Sequence, residues 1–250
     1  MTARVETAPL SRPPIGRLGR IELRKMADTR AGLWLLGILG LLAIAVVVLV
    51  LVEGEPADKR LSEMLPFTVG VVSVLLPVIG VLAVTSEWSQ RTALTTFTLV
   101  PERGRVVVAK LLAAFALGLL SVAACLVASA AGNLIAGGSW SLELSALGGV
   151  ALYQMLVMLV GFAFGAVFLN SALAIVLYFM VPTIWSILGE MIDALPAEWL
   201  DTSRAFEPLI ENEMAGGGDW ARLATSGALW ILLPLVVGVL RLRRAEVKSS

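Results

Sequence analysis

Histidine is missing from this 250-residue sequence, and cysteine occurs once, at Cys125. Without histidine there is no Ser-His or Cys-His dyad and no imidazole metal site. A single cysteine closes no intrachain disulfide, and Cys125, inside an apolar run, reads as a small buried packing residue. Charge is scarce too: 15% of residues, with 19 basic against 19 acidic side chains. A net charge of zero gives no electrostatic case for a nucleic-acid partner. No G-x-x-x-x-G-K-[ST] loop occurs, so that route to cradling nucleotide phosphates is closed. Neither an internal repeat nor a low-complexity stretch is present, which gives no support to an inverted-repeat transporter.

What is there is apolar. Hydrophobic residues make up 58% of the chain, against about 45–50% in a soluble domain. A helix crossing a bilayer needs about 20 such residues. Uncharged runs at 33–52 and 64–86 meet that need, as does a third within about 108–131. The 46 uncharged residues 144–189 suit two helices, broken at Asn170-Ser171 into spans near 148–168 and 172–189. A sixth run, about 223–240, ends at Arg241. Gly137-Gly138-Ser139 should stop the third span, and Pro77 should kink the second. The 32 mostly polar residues before the first run are too many for a usual signal-peptide n-region, so we expect a retained span. The expected fold class is an all-α integral membrane protein of six transmembrane helices.

Basic residues orient it. With the N-terminus inside, the segments 1–32, 86–110, 169–171 and 241–250 are cytoplasmic and carry 7, 4, 0 and 4 of the 19 lysines and arginines. Acidic residues run the other way, 13 outside and 6 inside. Both termini are therefore expected in the cytoplasm, with residues 1–32 and the tail 242–250 flanking a membrane domain 33–241. Trp34, Trp88, Trp140 and Trp185 fall near span ends, as interfacial anchors do, whereas Trp230 lies inside the sixth span and suits packing. Gly161-x₃-Gly165 permits close helix approach, which intrachain packing explains more readily than a dimer seam.

The span interiors carry no Asp, Glu, Lys, Arg or His, which counts against an ion-coupled transporter. Two segments outside them carry pattern. Residues 15–30 form an expected amphipathic helix, with Arg17, Arg20 and Arg24 on one face and Ile15, Leu18, Leu23 and Met26 on the other, Ile21 off-pattern. Such a helix lies on the inner leaflet, its basic face drawn to anionic lipid. In the loop 86–110, Leu94, Phe97 and Val100 make an apolar stripe beside Glu87, Arg91, Thr92 and Thr96. Pro101 ends that helix, and Arg103, Arg105 and Lys110 anchor the third span. The stripe suggests docking on a protein, with lipid headgroups as the other reading.

Glu22 and Lys25 within Glu-Leu-Arg-Lys, then Glu87 and Thr92 as Glu-x₄-Thr, then Pro101-x-Arg103 and Lys110 give an order and spacing that resemble the permease subunits of type-2 ATP-binding-cassette (ABC) exporters. Gln90-Arg91 stands where many of those have His-Gly. The resemblance implies a coupling helix in the 86–110 loop, with Glu87, Arg91, Thr92, Leu94, Phe97, Pro101 and Arg103, seated on a separate ATPase. It implies an interfacial elbow helix bearing Arg17, Arg20, Glu22, Arg24 and Lys25. It also implies a partly re-entrant external segment, here 190–223 with eight acidic and two basic residues, which Leu195, Trp199, Phe206 and Leu209 would let dip into the interface.

The expected function is that of an exporter permease in a bacterial cytoplasmic membrane, moving a hydrophobic or amphipathic substrate. No cofactor or metal is expected on this chain and no catalytic residue of its own; ATP and magnesium belong to the partner ATPase. A second permease copy, or a homologous permease, completes the path, and membrane lipid surrounds it. A noncatalytic sensor or immunity subunit of an ABC-like complex stays open as the alternative. An intramembrane enzyme fits poorly, because no histidine or buried carboxylate pair is evident.

Overall fold

The computed structural model describes residues 14–89, 102–192, 196–214 and 216–244. All regular structure among them is helical, and six helices are long and apolar enough to cross a membrane. In chain order α1 (Ile15–Asp28) is followed by α2 (Arg30–Glu53), α3 (Leu61–Ser89), α4 (Arg103–Ala136), α5 (Leu144–Phe168) and α6 (Ser171–Met191). Three shorter helices, α7 (Ala197–Leu200), α8 (Thr202–Ile210) and α9 (Gly217–Gly227), lead through a π-helical turn (Ala228–Leu232) into α10 (Leu233–Arg244). The sixth candidate span is the continuous stretch Gly217–Leu242.

The breaks fall where local chemistry places them. Thr29 leaves the helical region between α1 and α2, and its side chain accepts the Gly32 amide at 3.1 Å, capping α2. Gly137 ends α4 in the left-handed region, φ 67°, where glycine carries no steric penalty. Asn170 starts α6 by accepting the Leu173 amide at 3.1 Å. At the other end of the sixth span, Arg241 donates to the Val167 carbonyl at 2.6 Å, satisfying one of the orphan acceptors at the end of α5.

Two helices form the centre. Along their seam the backbones touch: a β-carbon at Gly161 would overlap the Pro77 carbonyl, and one at Gly165 would press on Val81. The small-x₃-small pair is thus used within the chain, between α5 and α3, and Pro77 lies inside an uninterrupted α3. Val69, Leu76, Met158 and Phe162 fill that seam. By contrast α6 buries Ala174 alone. Exposed apolar side chains such as Ile44, Leu119, Val176 and Ile184 ring the bundle. In water such a surface would aggregate; in a bilayer it meets its own kind.

The end opposite α1 is closed by α7 to α9. Phe206 and Leu209 of α8 are buried and pack in one cluster with Val157, Val160 and Phe164 of α5. Both side chains therefore face protein. Trp199 is partly exposed, and Leu195 lies outside the described residues. Trp230, in the π turn, stacks on Phe164 with ring centroids 6.4 Å apart and donates its indole N–H to the Leu200 carbonyl at 2.6 Å. The packing expected of Trp230 is present, with a hydrogen bond that ties the cap to the sixth span.

Candidate functional site

At the α1 end three helices meet through four charged side chains. Lys110 of α4 reaches Glu22 of α1 at 2.7 Å and Glu87 of α3 at 3.2 Å. Lys25 of α1 reaches the other oxygens of the same carboxylates, Glu22 at 2.7 Å and Glu87 at 2.9 Å. The four groups thus form a ring of alternating sign in which every carboxylate oxygen faces one ammonium. Formal charge within the ring cancels.

The cluster is deep for charged groups. Glu22, Glu87 and Lys110 are each 7% exposed, and only the Lys25 side chain, 44% exposed, opens to the outside. Burial alone would lower the Lys25 pKa, but its hydrogen bonds to Glu22 and Glu87, with their negative charge, outweigh that and raise it above the ordinary value. Such a ring contributes little net stability, since desolvation offsets attraction; removing one member leaves a buried charge unbalanced and costs about 3–5 kcal/mol. The ring joins α1 to both α3 and α4.

Each helix delivers its charge from an apolar stripe. On α4, Lys110 falls in step with buried Val106, Ala113, Ala114 and Leu117; on α3, Glu87 falls in step with buried Gly80, Ala83 and Val84. On α1, Glu22 sits in the middle of the face that also holds Ile15, Leu18 and Met26, and Gly19 beside it lies against Ala109 and Leu112 of α4. That face of α1 packs on protein, with Leu23 and Met26 against the core. The expectation of an amphipathic helix at 15–30 is met over Ile15–Asp28, and Gly19 on its inner side rests on α4.

Other residues singled out from the sequence divide into three groups. Arg17, Arg20 and Arg24 are exposed, and Arg24 pairs with Asp28 at 3.1 Å. Glu87 and Lys110, read as loop residues, lie within helices, because α3 runs on to Ser89 and α4 begins at Arg103. Neither is a surface charge, and the expectation that the chain has no buried carboxylate pair is corrected: Glu22 and Glu87 are both buried, each held by the same two ammoniums. Arg103 opens α4, while Arg91, Thr92, Leu94, Phe97 and Pro101 lie outside the described residues, between the ends of α3 and α4.

Beside the ring a cavity of about 710 Å³ opens between α1, the first turns of α2 and the second half of α3. Lys25, Ser86 and Ser171 line its polar end, and Leu36, Ile79 and Leu82 its apolar end. Ser86 was not singled out from the sequence; a lone serine near a span end is too common to stand out. Among the described residues no His, Cys, Asp and Glu group is placed to hold a metal ion. No protein-family model matches the chain, nor does any curated protein.

Proposed function

We propose that this chain is the membrane-spanning subunit of a type-2 ABC exporter, which couples ATP hydrolysis on a separate ATPase to export of a hydrophobic or amphipathic substrate. The α1 end is then the cytoplasmic end, as the distribution of basic residues requires. A second permease copy or a homologue completes the path.

One observation carries the reading. Four of the seven residues on which the resemblance rests, Glu22 and Lys25 on α1, Glu87 on α3 and Lys110 on α4, come from three separate stretches of the chain yet meet in a single ring. That ring joins the elbow helix α1 to α3 and α4, which hold the two ends of the 86–110 loop read as the ATPase-docking element. A push on that segment reaches α3 through its end at Ser89 and α4 through its start at Arg103. The ring then carries the displacement to α1, because parting its members would leave unbalanced charge at low dielectric. Motion of a partner against the segment thus becomes motion of α1, α3 and α4 together. In this reading the chain supplies no chemistry of its own, and ATP and magnesium act on the partner.

The test is purification of the tagged chain from its native membrane in mild detergent. A co-purifying Walker-motif ATPase, with nucleotide bound only when that partner is present, is the expected outcome. A chain that purifies alone and binds magnesium-ATP at micromolar concentration contradicts the proposal.

A further inference from the structure

The cavity beside the charged ring has an orientation. Its lining on α3 extends from Ser89 at the helix end to Ile79, ten residues or about 15 Å along the helix axis. That is about half of a hydrocarbon core of about 30 Å, the depth of one leaflet. Polar groups line the end level with α1, and apolar side chains, Leu36, Ile79, Leu82 and Leu117, line the deeper part. The order polar-then-apolar, read inward from the surface, is that of a lipid lying in the same leaflet. A volume of about 710 Å³ falls within the range of sites that hold discrete ligands, about 300–1,000 Å³.

The polar end holds unused donors. An ammonium has three N–H groups; Lys25 commits one to Glu22 and one to Glu87, which leaves the third. The Ser86 hydroxyl makes no hydrogen bond among the described residues, and both groups line the cavity. The charged side chains of the lining balance, Arg24, Lys25 and Lys110 against Glu22, Asp28 and Glu87. Asp28 is held by Arg24 at 3.1 Å, and the Glu22 and Glu87 side chains are 9% exposed against 44% for Lys25, so Lys25 is the member of the ring that an entering headgroup reaches. Accessible cation plus free hydroxyl above an apolar slot matches a phosphate joined to an acyl chain.

We propose that this cavity seats one glycerophospholipid from the leaflet on the α1 side. Its phosphate takes the free Lys25 and Ser86 donors, and an acyl chain runs down the slot between α2 and α3. The proposal does not rest on the exporter reading. It rests on the six membrane-spanning helices and on the lining just described.

Native mass spectrometry of the delipidated full chain tests it, with phosphatidylglycerol, a diacylglycerol of identical chains and glycerol 3-phosphate as probes. Wild type should retain one phosphatidylglycerol, and diacylglycerol should bind about tenfold more weakly, as loss of a charge-assisted hydrogen bond implies. Ser86→Phe, which fills the slot but leaves the ring intact, should abolish retention at unchanged helicity and unfolding temperature. Ser86→Ala, which adds no bulk, should weaken phosphatidylglycerol several-fold and leave diacylglycerol unchanged; it decides the matter if the phenylalanine variant misfolds. Equal retention of phospholipid and diacylglycerol would overturn the proposal, as would full retention by both Ser86 variants. Displacement of the lipid by glycerol 3-phosphate would make this a site for free phosphate esters and would overturn it too.

Discussion

The two ends of this bundle are closed by opposite means. At the α1 end, a surface helix is held on α3 and α4 by four alternating charges. At the other end, α8 is held on α5 by Phe206 and Leu209, and Trp230 adds one hydrogen bond to Leu200. Apolar contact is roughly proportional to area and tolerates small shifts. A buried ring of charges has one good geometry and a steep penalty for losing a member. In the proposed function the ends have different duties: the apolar cap stabilises, whereas the charged end ties three helices together so that they move as one.

Charge reversal should separate the ends most sharply. Glu87→Lys leaves one carboxylate among three ammoniums in a buried site, and we expect a loss of about 3–5 kcal/mol. Limited proteolysis should then cut near Thr29 while the cap stays protected. An exposed loop position for Glu87 would give a small, salt-dependent effect instead. Burial predicts a large one that added salt does not relieve, and a thermal shift at low and high ionic strength distinguishes the two.

Phe206→Ala makes the complementary break. It empties a fully buried site at the cap, with an expected cost of about 3 kcal/mol or slightly more. Hydrogen exchange should quicken in α7 to α9 while α1 keeps its protection. If α1 loosens equally, the two ends are one cooperative unit and the division of duties is wrong.

Trp230→Phe is a finer probe of the cap. It keeps most of the ring stack on Phe164 but deletes the indole donor to Leu200, which is worth about 1 kcal/mol. A drop in unfolding temperature without faster exchange at α1 is the expected result.

Much of this architecture was legible in the sequence. Uncharged runs of span length located every long helix, because a bilayer leaves helices little alternative. Asn170 and Gly137 marked breaks through local chemistry that needs no tertiary context. The Gly161-x₃-Gly165 pair was legible as a close-approach motif, though only packing shows that α3 is its partner. The ring was half legible. Its four members were named one by one, but Glu22 and Glu87 are 65 positions apart and no periodicity links them. The available sign was a charge standing in register with an apolar stripe, as Glu22, Glu87 and Lys110 all do. The cavity was not legible, since its walls come from α1, α2, α3, α4 and α6 together.

Alkaline titration sharpens the comparison with the smallest effect at ordinary pH. The Lys25 pKa is raised in the folded chain, so its contribution to holding α1 is complete below the usual lysine value of 10.5. That contribution is lost only as pH climbs through the higher folded value. Its share of α1 protection should therefore be flat from about pH 7 to 9 and fall only in strong alkali, with no matching change at the apolar cap. Loss of α1 protection by pH 9 that Lys25→Met abolishes would show that the carboxylates do not hold that ammonium.

The central proposal is that the 86–110 loop docks on a separate ATPase and that the ring passes the motion on. It is tested most directly by the affinity of Phe97→Ala for that ATPase, measured on the intact chain in lipid nanodiscs. An aromatic anchor at an interface is worth about 2 kcal/mol, so affinity should fall about thirtyfold, with membrane insertion and unfolding temperature unchanged. Full ATPase binding and full transport by Phe97→Ala would contradict the account.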